Sequence, residues 1–137
     1  MNTLFKLLSG IVLLSIAGCD IENIDKPAPG YVNMWEKTGA DSTEVGKALL
    51  ECGMPSLIDP DSENKEVNNN GWATIDACMV QAGFHYKDKW GGTWCQNYKA
   101  ENLPICQPGA VIPKRSVEKR LNSPFCKRYK NASECKP

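Results

Sequence analysis

The chain has 137 residues with 16 acidic and 16 basic side chains, so no overall field directs it toward nucleic acid or another polyanion. Its 9 prolines and 11 glycines divide it into short elements with room for one core rather than two. A single histidine and no C-x-x-C pair exclude the common zinc patterns and leave little for acid–base chemistry near neutral pH.

Residues 1–18 read as an export signal. The amino terminus and Lys6 precede LLSGIVLLSI, a mostly apolar run that matches a signal-peptide core and falls well short of the ~20 residues of a bilayer span. It ends in Ile16-Ala17-Gly18-Cys19, where two small residues leave a peptidase room to reach the bond before the thiol. This segment resembles the bacterial lipobox. The resemblance implies a mature protein that starts at a lipid-modified Cys19 and has a membrane as its partner, each buried methylene of the acyl chains contributing about 0.8 kcal/mol. It also implies a place in the bacterial cell envelope, facing the periplasm or the surface, and Asp20 would favour the inner membrane. Residues 19–30 form the tether, since Pro27-Ala28-Pro29-Gly30 opposes both helix and strand, and residues 31–137 form the globular domain.

With Cys19 set aside, six cysteines remain: Cys52, Cys78, Cys95, Cys106, Cys126 and Cys135. An even number in an oxidising compartment reads as three disulfides. Sequence leaves the connectivity open, and sequential pairing is our expectation because each pair then closes a modest loop worth roughly 3 kcal/mol. The fold class expected is mainly α, a small disulfide-rich single domain of short helices with irregular loops.

Tyr31, Met34 and Trp35 open the domain as packing residues, and Gly39 marks a turn. Asp41-Ser42-Thr43-Glu44 has the form of a capping box, after which Val45, Ala48, Leu49 and Cys52 recur on one helical face until Gly53 and Pro55. Residues 55–71, PSLIDPDSENKEVNNNG, read as a polar loop of low order. A second helix is predicted from about Trp72 to Ala82, with Trp72, Ile75, Met79 and Ala82 on one side and Gly83 as its stop. Cysteines in both helices suggest a stapled hairpin.

The segment GFHYKDKWGGTWCQNY concentrates aromatic residues around Gly91-Gly92. Tyr86, Trp90, Trp94 and Tyr98 could form a platform for a sugar or peptide, whereas the plainer expectation is that they fill a small core. His85 reads as a loop or edge residue. No catalytic, cofactor-binding or metal-ligating residue is assigned: there is no G-x-S-x-G nucleophile motif, and a triad would have to use His85. The chain is therefore read as a non-enzyme without a cofactor.

Charge is unevenly spread, with residues 20–66 acidic and residues 114–137 basic. Either the basic end folds back on the acidic one, or both are solvated faces, or the end forms a patch for anionic lipid or a similar polyanion. Ser123-Pro124 should start the second of two short helices that break at Asn122. This tail, with Trp35, Lys37 and Gly39 and with Glu51-Cys52-Gly53, resembles small cysteine-rich lipoproteins of proteobacteria and their prophages. That resemblance implies a lipoprotein and carries no activity. Two functions fit: an envelope lipoprotein that is structural or binds an envelope protein or glycan, and a protective lipoprotein acting in phage superinfection exclusion, toxin immunity or lysozyme inhibition.

Overall fold

The computed structural model describes residues 30–58, 62–87 and 92–137. The segment read as a signal, the expected lipidation site Cys19, Asp20, most of the expected tether, Trp90 and Gly91 lie outside these residues.

The domain is mainly helical, as expected. Helix α1 (Ser42–Glu51) starts where Asp41 accepts a hydrogen bond from the Glu44 amide, at 2.9 Å. Only that half of the predicted capping box forms, and the Glu44 carboxylate instead lies 3.5 Å from Arg115 Nη2. Val45, Ala48, Leu49 and Leu50 are buried, and the helix ends at Gly53, whose φ of +105° suits a residue without Cβ. Gly46, inside the helix, lets the chain end come close. A Cβ there would lie 2.8 Å from Glu134 Cγ and 3.0 Å from Leu57 Cδ1.

The described part of the polar stretch 55–71 is more ordered than its composition suggests. It contains helix α2 (Ser62–Lys65), and Ser56, Leu57 and Asn64 are buried. The Asn64 side chain accepts from the Ser56 amide at 3.0 Å and donates to the Ser56 carbonyl at 2.9 Å and the Ile58 carbonyl at 3.3 Å. One amide thus satisfies backbone groups that a ladder would otherwise have to pair.

Helix α3 (Asn69–Gln81) begins three residues earlier than predicted because Asn68 caps it, accepting from the Gly71 amide at 2.8 Å. Asn70 accepts from the Ile105 amide at 2.9 Å, and Asn69 donates to Glu101 at 2.8 Å. The asparagine run is therefore a cap and two hooks that hold residues 101–105 against α3. Beyond α3 the chain turns at Gly83, and Lys37 Nζ donates to the Ala82 carbonyl at 2.9 Å while sitting 5.1 Å from the Phe84 ring.

A two-residue antiparallel ladder joins β1 (Trp35–Glu36) to β2 (His85–Tyr86), with Trp35 opposite Tyr86 and Glu36 opposite His85. His85 is exposed at this edge and its Nε2 lies 3.0 Å from Glu36 Oε1. Helix α4 (Trp94–Asn97) starts in a complete capping box between Thr93 and Gln96. Helices α5 (Val117–Leu121) and α6 (Pro124–Arg128) break at Asn122 as predicted, with Ser123 capping α6 and Pro124 in its first turn. Phe125 and Tyr129 meet at 5.2 Å with their planes tilted by 44° rather than stacked.

Disulfides join Cys52 to Cys78, Cys95 to Cys106 and Cys126 to Cys135, which is the sequential pairing. The first links the end of α1 to α3, and both of its cysteines are buried. The C-terminal part folds back on the acidic part: Ser116 donates to the Glu51 carbonyl and Phe125 to the Pro55 carbonyl. Glu51 receives Arg120 Nε at 2.8 Å and Arg115 Nε at 3.1 Å, and Arg128 reaches Glu63 at 2.8 Å. Arg120 Nη1 also donates to the carbonyls of Glu134 and Lys136, so one buried guanidinium binds both α1 and the chain end. The arginines of the tail are thereby used within the fold, and Lys114, Lys119, Lys127, Lys130 and Lys136 are its remaining exposed cations.

Candidate functional site

Six aromatic rings, drawn from four parts of the chain, stack in two groups, and five of them lie around one cavity. Trp35 is fixed by the ladder, which sets its ring on Tyr86 with centroids 4.0 Å apart. Tyr31 lies in the helical turn before β1 and stacks on Trp72 of α3 at 5.7 Å. Trp72 lies 6.3 Å from Trp94 and nearly parallel to it, and Trp94 stacks on Tyr98 at 4.4 Å. The row Tyr31, Trp72, Trp94 and Tyr98 and the pair Trp35 and Tyr86 are the two aromatic groups. All but Tyr98 line a pocket of about 300 Å³, completed by Met34, Leu49, Met54, Ile75 and Asp76.

Asp76 is the one carboxylate in that lining. It is 3% exposed, unlike the other members of its helix turn that carry polar groups, and it shares the inner side of α3 with Trp72, Ile75 and Met79. Its Oδ2 accepts from the Trp94 backbone amide at 3.2 Å, and the Tyr86 hydroxyl hydrogen-bonds its carboxyl group. Its Oδ1 is the one buried side-chain polar atom without a hydrogen-bond partner among the described residues. Burial pushes the Asp76 carboxyl above the usual carboxylate range, and the hydrogen bonds from Tyr86 and Trp94 pull against it. Burial also pushes the Tyr86 hydroxyl far above the ordinary tyrosine range, reinforced by the neighbouring Asp76, so Tyr86 stays a neutral phenol.

The position of Trp94 depends on local devices. Gly92 precedes the capping box, and a Cβ there would lie 2.3 Å from Gln96 Oε1, the atom that accepts from the Thr93 amide at 3.0 Å. The Cys95–Cys106 disulfide closes the segment that follows, and the hooks from Asn69 and Asn70 fix that segment to α3. Trp94 is thus set against α3 from both sides.

Of the residues singled out from sequence, Tyr86 and Trp94 line the pocket, Tyr98 backs Trp94 and is 37% exposed, and Trp90 lies outside the described residues. The aromatic middle segment is therefore neither a fully buried core nor a free platform. Tyr31, Trp35, Trp72 and Asp76 were not assigned to a site. The available signal for Asp76 was its place four residues after Trp72 and three before Met79, an acid on an apolar helix face.

A second, more open hollow of about 730 Å³ lies between α1, α2 and the start of α6, among Leu50, Met54, Glu63, Val67 and Lys119. The described residues contain no group of three or more histidine, cysteine, aspartate or glutamate side chains able to hold a metal ion. None of their helices is long and apolar enough to cross a membrane. No family model, curated protein or solved structure matches the chain.

Proposed function

We propose that the chain is a bacterial envelope lipoprotein, anchored through Cys19, whose disulfide-stapled domain binds an envelope ligand in its aromatic pocket. The observation that carries this reading is the pocket itself. Five aromatic side chains and one buried carboxylate surround about 300 Å³, at the lower end of the ~300–1,000 Å³ typical of small-molecule sites. Such a volume suits a small molecule or the compact end group of an envelope glycan or protein. Apolar walls with few polar groups give orientation and exclude water. The protective alternative has less support, since an inhibitor needs a projecting rigid loop and Trp94 is instead packed into the pocket wall.

A two-part experiment tests the reading. Cys19→Ser should move the full chain from the membrane fraction to the soluble one, with loss of incorporated labelled palmitate. Tryptophan emission of the full chain, titrated with peptidoglycan fragments and with a small-molecule extract of envelopes, should shift with one of them and fail to shift in Trp72→Leu. A membrane-bound Cys19→Ser chain overturns the anchor, and an unchanged wild-type emission in both titrations overturns the binding role.

A further inference from the structure

Three features of the pocket bear on the charge of its occupant. Its lining holds one carboxylate and no lysine, arginine or histidine, so an anion meets nothing to offset Asp76. Its hydrogen-bonding side chains are the Asp76 carboxylate, the Tyr31 and Tyr86 hydroxyls and the indole N–H groups of Trp35, Trp72 and Trp94, with Tyr86 already directed at Asp76. A sugar presents several hydroxyls that each need a partner when desolvated, and these walls offer them a single carboxylate as acceptor. The remaining wall is largely π face, which attracts cations through the ring quadrupole, most strongly at tryptophan.

We infer that the pocket binds a small organic ammonium ion, its nitrogen held by Asp76 and its apolar body packed between the aromatic side chains. This inference rests on the binding role proposed above and names the ligand class for it. Asp76 Oδ1 is a buried acceptor with no partner, and an N–H of the ammonium supplies the donor it lacks. Asp76 lines the pocket while its Oδ1 is buried, so the nitrogen reaches that atom by a shift of the partly exposed Tyr86 side chain beside it. The volume fixes the size. At ~30 Å³ for each water-sized unit it holds about ten heavy atoms, the measure of an arylalkyl or alkyl ammonium.

The test uses the full lipidated chain in a polyoxyethylene detergent, which carries neither sugar nor ammonium headgroups. Binding is followed by tryptophan emission and by the indole N–H resonances for four probes: 2-phenylethylammonium, 2-phenylethanol, the amide of N-acetyl-lysine, and a chitin disaccharide. The ammonium should bind at least about tenfold more tightly than the alcohol of the same shape, the difference expected of a charge-assisted hydrogen bond. Asp76→Asn should abolish that preference, and well-dispersed indole N–H resonances of the variant show that it is folded. Trp72→Leu should weaken both probes. Equal affinities for ammonium and alcohol, or preference for the disaccharide, overturn the inference and leave the binding role standing. Tighter binding of the lysine amide than of 2-phenylethylammonium overturns the free-ligand form, because the amine then arrives on a partner's side chain. Absence of binding by all four overturns the inference, while a shift with the envelope extract alone would keep the broader role.

Discussion

Arg120→Met should be among the most damaging single substitutions in the domain. Its side chain is 4% exposed and that of Glu51 is 8% exposed, and they meet at 2.8 Å. Removing one member of a buried ion pair costs about 3–5 kcal/mol, because the other charge is left desolvated and unpaired. Arg115 still reaches Glu51, from a position 28% exposed, so the lower figure, about 3 kcal/mol, applies. The Glu134 and Lys136 carbonyls also lose their donor, which releases the chain end. Glu51→Leu should cost a similar amount, since it leaves the Arg120 guanidinium buried. The double variant Glu51→Leu/Arg120→Met removes both charges and should lie well short of the ~6 kcal/mol sum, since apolar replacement of a complete buried pair is often close to neutral. Urea unfolding of the oxidised protein, followed by tryptophan emission, measures all four species, and at a slope of ~1–3 kcal/mol per molar each single variant should lower the midpoint by at least about 1 M. Two results would refute the reasoning: Arg120→Met no worse than the exposed control Lys119→Met, or a double variant equal to the sum of the singles.

Three further outcomes are expected. Replacing Cys52 and Cys78 by alanine should cost roughly 3.5 kcal/mol from a 26-residue separation, and more once the lost burial of both sulfurs is added; the Cys95–Cys106 pair, 11 apart, should cost about 2.8 kcal/mol yet loosen Trp94 and the pocket, as urea midpoints and indole resonances would show. Asp76→Asn should change the pH dependence of stability: the folded carboxyl holds its proton above the unfolded pKa of about 3.9, so the wild type loses stability as pH rises from there through the raised folded value, and the uncharged amide removes that loss. Urea midpoints at pH 3 and pH 8 that move in parallel for the two proteins would contradict this. Gly83→Ala and Gly39→Ala both place a Cβ at positive φ, at about 1–2 kcal/mol, but only Gly83 is crowded, with Lys37 Cε 3.3 Å away, so its melting temperature should fall further.

Much of the architecture was legible where a local signal and the tertiary result coincide. Helix α1 carries a cap, an apolar face and a terminating glycine in one continuous stretch, and α5 and α6 break at an asparagine followed by Ser-Pro. The Trp35, Lys37 and Gly39 spacing also acquires a physical meaning: a pocket wall, a cation on the carbonyl of Ala82 that caps α3, and a turn at positive φ. Glu51-Cys52-Gly53 likewise supplies the buried acid, the staple and the helix stop. What composition obscured was the asparagine-rich stretch. Asparagine marks loops because its amide replaces backbone partners, and here Asn64, Asn68, Asn69 and Asn70 use that ability to build order. The pocket was only half legible. Tyr86 and Trp94 share a segment, whereas Tyr31, Trp35 and Trp72 reach it through a ladder and a helix that periodicity cannot place relative to one another.

The three cross-links have one more consequence, for how the protein is made. Their separations of 26, 11 and 9 residues do not nest or interleave: each bridge closes before the next begins. On the proposed export route, an oxidant that joins thiols in their order of emergence produces the native set directly, with no wrong bridge to reshuffle. Yield should therefore depend on the cell's thiol oxidase and be indifferent to its disulfide isomerase, and a chain that misfolds without the isomerase would contradict this order of assembly.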